Sequence, residues 1–116
     1  MTEQFAEFAV PSGSIEPVAA ALSERFGCDF EAHESSYWGP YLLHGDTNEL
    51  HIRIRLNKDP MWQWGDPEDE IWFRPSYPSH GVLVDIRRPS DEVSAVASCL
   101  IRAFPGTQEV IRESAP

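Results

Sequence analysis

Hydrophobic spacing is most regular in residues 89–104, PSDEVSAVASCLIRAF, where Val93, Val96, Ala97, Leu100, Ile101 and Phe104 recur at intervals of three, one, three, one and three. That spacing draws one stripe along a 3.6-residue helix. Ser90 stands where an N-cap is wanted, Asp91 and Glu92 follow where the helix dipole favours negative charge, and Pro105 and Gly106 stop the run. Burying each large apolar side chain contributes roughly 1.5–3 kcal/mol. A stripe of six must therefore face a sheet.

A second helix is predicted over 15–26, with Ile15, Val18, Ala19, Leu22 and Phe26 as its stripe, Ser14 as its cap, Pro17 in its first turn and Gly27 in a left-handed terminal position. The spacing Val18-Ala19-x-x-Leu22-x-x-x-Phe26 matches Val96-Ala97-x-x-Leu100-x-x-x-Phe104, and a Pro-Ser pair precedes each copy. Strand-like runs flank both helices, at 5–10 and 28–35 around the first and at 82–87 and 108–113 around the second.

Between these units, residues 49–56 (ELHIRIRL) alternate without fault. Leu50, Ile52, Ile54 and Leu56 fall on one face of a strand, and Glu49, His51, Arg53 and Arg55 on the other. Residues 45–48 (GDTN) have turn chemistry and predict a hairpin with 41–44. The polar face of this sheet is expected to be wet or paired with something. Residues 57–80 differ in character: four prolines, an acidic cluster and Trp62, Trp64 and Trp72, with only 70–74 (EIWFR) strand-like.

The predicted fold is a single α+β domain over 1–116, a two-layer sandwich with two helices on one face of a mainly antiparallel sheet. Its order is β-α-β, a β-meander insert, then β-α-β. In topology it resembles an elaborated ferredoxin-like fold across the two flanking units, with no family motif behind the resemblance. Such folds host many activities, so fold alone names none.

Charge narrows the function. The net charge is -10, and residues 1–50 hold nine acids against Arg25 alone. Nucleic-acid affinity rests on Lys and Arg, so direct nucleic-acid binding is not expected. No apolar run approaches the ~20 residues of a membrane span, and the start lacks the pattern of a signal peptide, so a cytoplasmic location is expected. Cys28 and Cys99 are too few and too far apart for a metal knuckle or a disulfide framework, and both read as buried thiols.

Glycine-rich phosphate loops, serine elbows and His-Glu-x-x-His motifs are all missing, and neither catalytic residues nor a cofactor is predicted. The local constellation closest to a metal site is His44, Glu49 and His51, which share a face if 45–48 closes the hairpin. A polar outward face accounts for them equally well, and no metal is predicted. Arg53, Arg55, Arg74, Arg87 and Arg88 are expected to pair with carboxylates rather than to bind an anion.

The leading reading is a non-enzymatic acidic module that binds a basic protein, in the manner of an immunity protein neutralising a bacterial toxin. Its contact residues are Trp62, Trp64, Asp66, Glu68, Asp69 and Glu70: tryptophans anchor interfaces, and carboxylates meet cationic groups. The alternative is a small ligand- or metal-binding homodimeric enzyme that uses the outward sheet face, with Tyr37, Trp38, His44, His51 and Arg53 around a pocket.

Overall fold

The computed structural model describes residues 3–45 and 51–114. The elements run β1 (Glu3–Val10), α1 (Glu16–Phe26), β2 (Glu31–Ser35), β3 (Gly39–His44), β4 (His51–Leu56), β5 (Val82–Pro89), α2 (Ser90–Ala103) and β6 (Gln108–Ser114). The strands form one antiparallel sheet in the order β2-β3-β4-β5-β1-β6. Both helices pack on the same face, so the expected two-layer α+β arrangement is present.

β5 and β6 flank β1 and both run antiparallel to it. They are therefore parallel to each other, and α2 carries the chain between them over β1. Helix α1 leads instead from β1 to β2 at the far edge, four places away. The two β-α-β units thus occupy unlike places despite their matching helices. A ferredoxin-like likeness is not established by this six-stranded order.

The core follows from the two periodicities. Ala6, Phe8 and Val10 of β1, Ile52 and Ile54 of β4, and Val82, Val84 and Ile86 of β5 are buried beneath Val18, Ala19 and Leu22 of α1 and Val93, Val96, Ala97 and Leu100 of α2. Phe26 and Phe104, the last members of the two stripes, pack at its margin, whereas Ile101 is 53% exposed and lies off the buried stripe. Gly27 closes α1 with φ 69°, and its N–H donates to the Ser23 carbonyl. Ile15, not Ser14, is the N-cap, and no side chain caps this end. Ser12 has drawn the polar contacts of that turn: its Oγ donates to the Ser14 carbonyl. The Ser90 cap and the 45–48 turn fall on atoms outside the described residues.

Two strands differ from expectation. β2 begins at Glu31 rather than Cys28 and is an edge strand on which even Ala32 is exposed. Cys28 is buried in the core ahead of it, while Cys99 is only half-buried. Residues 70–74 do not form a strand. Glu68–Glu70 is a short 3-10 turn, and Trp72 makes a single antiparallel bridge to Lys58. The backbone donors of this stretch are used otherwise: Ile71 N bonds Glu68 O within the turn, Phe73 N bonds Asn57 O, and Arg74 N bonds the Asn57 side chain, which leaves no longer ladder.

Residues 57–80 close over the sheet face opposite the helices. The polar side of β4 is thus paired with this segment, through Phe73 beside Arg55, while Arg53 keeps 28% of its side chain exposed. Asn57 is the pin. Its backbone N–H donates to Gly81 O (2.9 Å), and its carbonyl accepts from Phe73 N (2.7 Å). Its fully buried side chain accepts from Arg74 N (2.8 Å) and donates to the carbonyls of Tyr77 and His80 (both 3.0 Å). Gly81 has no room for a side chain where the segment rejoins β5, since a Cβ there would lie 2.4 Å from the Ser12 carbonyl oxygen.

Candidate functional site

Beneath the covering segment lies a charged layer that the strand registers create. Glu7 of β1 stands opposite Asp85 of β5, and Asp85 stands opposite Arg53 of β4. All three point away from the helices, in a row across the middle of the sheet. Ala9 and Leu83 on the same face are fully buried, so the Glu7 and Asp85 end of the row is shielded from water, while Arg53 keeps 28% of its side chain exposed.

Like charges directly opposite each other on neighbouring strands repel, and here both carboxylates are buried, at 2% and 9% side-chain exposure for Glu7 and Asp85. Arginines hold them together. Arg55 donates from Nε to Asp85 Oδ2 at 3.2 Å and from Nη2 to Glu7 Oε1 at 3.5 Å. Arg74 reaches in from the covering segment and grips both oxygens of Glu7. Arg55 also lies between two aromatic rings, 5.7 Å from Trp38 and 5.2 Å from Phe73, and Arg53 sits 4.3 Å over Trp38. Cation-π attraction of this kind strengthens as water is excluded.

The two carboxyl groups are driven apart in acidity. Burial pushes Glu7 upward, but the Arg74 hydrogen bonds and the charges of Arg74 and Arg55 outweigh it and hold its pKa below the ordinary carboxylate value. For Asp85 burial dominates: it outweighs the charge and hydrogen bond of Arg55, the Glu7 charge opposite adds to it, and the pKa is raised to about 6. Glu7 is thus the fixed anion and Asp85 the titrating one. When protonated, Asp85 can donate to Glu7; when ionised, its Oδ1 has no donor, and Arg53 Nε is likewise buried without an acceptor.

The residues expected around an outward pocket are only partly brought together. Trp38, Arg53 and His51 are on the outward face, and Trp38 meets Tyr41 edge to face at 5.4 Å between ring centroids. Tyr37 is 69% exposed beside them. His44 is not there. The expected hairpin paired Leu42 with His51, but Leu42 pairs with Ile54 and His44 with Ile52. A three-residue slip is odd, so it sends His44 to the opposite face from His51. His44 instead donates from Nδ1 to the Asp29 carbonyl at 2.8 Å and lies 5.8 Å from the Phe30 ring. The His44, Glu49, His51 constellation is therefore split between two faces, and Glu49 is outside the described residues. Among the described residues no group of three or more His, Cys, Asp or Glu is arranged to hold a metal.

The acidic, tryptophan-rich run occupies the tip of the covering segment. Asp59 N donates to Ile71 O at 2.7 Å, which closes the stem. Trp62 is half-buried and donates from Nε1 to Pro67 O at 2.9 Å, while Asp66 Oδ2 accepts from Gln63 N at 2.9 Å. These contacts order the tip from within. Trp64 meets Trp62 edge to face at 6.4 Å and is 95% exposed. Glu68 and Glu70 are exposed near it, and the Asp69 side chain is outside the described residues.

Glu7 and Asp85 did not stand out in the sequence as a site. The available signal was acids at the outward positions of otherwise apolar strands, FAEFAV and VLVDI, with Ala9 and Leu83 beside them. Apolar neighbours on a polar face imply a cover. No helix among the described residues is long and apolar enough to cross a membrane. No protein-family model and no curated protein matches the chain.

Proposed function

We propose that the protein is a non-enzymatic binding module that engages a basic protein partner through the tip of the covering segment, in the manner of an immunity protein that neutralises a toxin. The observation that carries this reading is Trp64, a large apolar side chain held almost wholly in solvent on a tip ordered by its own hydrogen bonds. Ordering before contact lowers the entropy cost of association, and exposed tryptophans are frequent anchors of interfaces.

Glu68 and Glu70 flank that anchor with exposed negative charge, and the net charge of -10 steers a basic partner toward the molecule from a distance. Asp66 has a different role in this reading: it is committed to Gln63 N and shapes the tip. The mechanism is occlusion, with the Trp64 ring packed on the partner and the two glutamates paired with its lysines or arginines.

The test is affinity capture from lysate of the source cells at low salt, with wild-type protein beside a Glu68→Lys, Glu70→Lys variant. A basic protein bound stoichiometrically by the wild type, released by salt and lost with the variant, is the expected result. Equal capture by both, insensitive to salt, would overturn the reading.

A further inference from the structure

The large apolar side chains left exposed among the described residues are Tyr37 at 69%, Met61 at 59%, Trp64 at 95% and Ile101 at 53%. Ile101 is on α2, on the helix side of the sheet. The other three are joined through the opposite side. Tyr37 lies in the turn between β2 and β3, two residues before Gly39. Gly39 is buried with Pro60 packed over it, since a Cβ there would lie 3.7 Å from Pro60 Cβ and Cγ. Met61 follows Pro60, its N–H held by Asp59 Oδ1 at 2.8 Å. The Trp62 ring then leads to Trp64. The hairpin turn and the tip of the covering segment thus form one ridge.

Apolar side chains exposed singly are ordinary on a protein surface, but a joined row bordered by charge marks an interaction surface. Tyr, Met and Trp are also among the types enriched where proteins meet. Carboxylates lie at both ends of the ridge: Glu31 and Glu34 are exposed on β2, and Glu68 and Glu70 at the tip, against an exposed Lys58 in the stem. The charge of the hairpin end therefore suits the same kind of partner as the tip.

We propose that the basic partner of the tip also rests on the β2–β3 turn, with Tyr37 and Met61 packed against its apolar side chains and Glu31 and Glu34 facing its lysines or arginines. This rests on the reading of the tip as the contact for a basic protein and adds a second anchor to it. Anchors on two separate segments fix the partner's orientation, which one tryptophan cannot do.

The experiment places a photoreactive benzophenone side chain at position 37, 61, 64 or 101 of the full chain, irradiates each variant in lysate of the source cells at low salt, and identifies the adduct by mass spectrometry. All four positions are exposed, so the core stays intact. One and the same basic protein should be attached at 37, 61 and 64, and none at 101. A protein attached at 64 but not at 37 and 61 would overturn the joined surface and leave the tip reading standing. No protein attached at 64 would overturn the tip reading and this extension with it, and the same adduct at 101 would show indiscriminate contact and overturn both.

Discussion

Glu7 and Asp85 stand directly opposite each other on β1 and β5, two carboxylates under one cover, and they are held unequally: Arg74 hydrogen-bonds both oxygens of Glu7 and Arg55 reaches it too, whereas Asp85 has Arg55 at 3.2 Å and Arg53 only at 3.9 Å, both on Oδ2. This asymmetry explains how a like-charged pair persists in a dry layer. It also ties the covering segment to the sheet, because Arg74 belongs to that segment. The cover and the charge row stabilise each other.

Removing the fixed anion should therefore do more than delete one contact. Glu7→Gln deprives Arg74 of its anionic partner and of one of its two acceptors and leaves Arg55 with Asp85 as its only close carboxylate, and breaking such a buried pair typically costs about 3–5 kcal/mol. Chemical denaturation should show a loss of that order. Protease cleavage within 57–80 should accelerate alongside it, since the cover loses its ionic anchor.

The neutral pin should matter comparably. Asn57→Ala removes the acceptor for Arg74 N and the donors to Tyr77 O and His80 O. Each buried group left unmade costs about 1–3 kcal/mol. Amide hydrogen exchange should rise at Arg74 and across the neighbouring backbone, with the α1 and α2 amides keeping most of their protection.

Asp85 gives a pH dependence of definite sign. Its folded pKa is raised to about 6 from an ordinary 3.8, so between these values the folded state holds the extra proton. Stability contributed by that proton is complete below about pH 4 and is lost as pH rises through 6. Glu7 acts oppositely: its pKa is lowered, so its contribution is present above the ordinary carboxylate value of 4.5 and is lost as pH falls through its folded pKa. Wild-type stability minus that of Asp85→Asn should thus decline from about pH 4 through pH 6 and level off above about pH 7. A difference that rises over pH 4–6 would contradict the assignment of Asp85 as the titrating member.

Much of this layout was legible beforehand. Both helices emerge from their stripes to within a residue at most positions, because a 3.6-residue stripe has one sensible burial. Ile52 and Ile54 likewise declared the inner face of β4. The hairpin register was not legible, since alternation in 51–56 is unchanged by sliding the partner strand, and only the intervening turn fixes it. His44 changed faces for that reason. The buried state of Glu7 and Asp85 depends on a cover contributed by residues some seventy positions away from Glu7, a relation no local pattern encodes. Within 57–80, tryptophans and acids drew notice by type alone. Their division of labour, with Trp62 and Asp66 ordering the tip and Trp64 exposed, follows from hydrogen bonds that composition does not reveal.

The most direct test of the tip as a contact surface is the affinity of Trp64→Ala for the captured partner, measured beside thermal unfolding of the same variant. An exposed side chain with no structural task should change stability by no more than about 0.5 kcal/mol, whereas an interface anchor should cost at least about 2 kcal/mol of binding, some thirtyfold in Kd. That combination is what the account predicts. Unchanged affinity with unchanged stability would contradict it and place the partner's footprint elsewhere on the molecule.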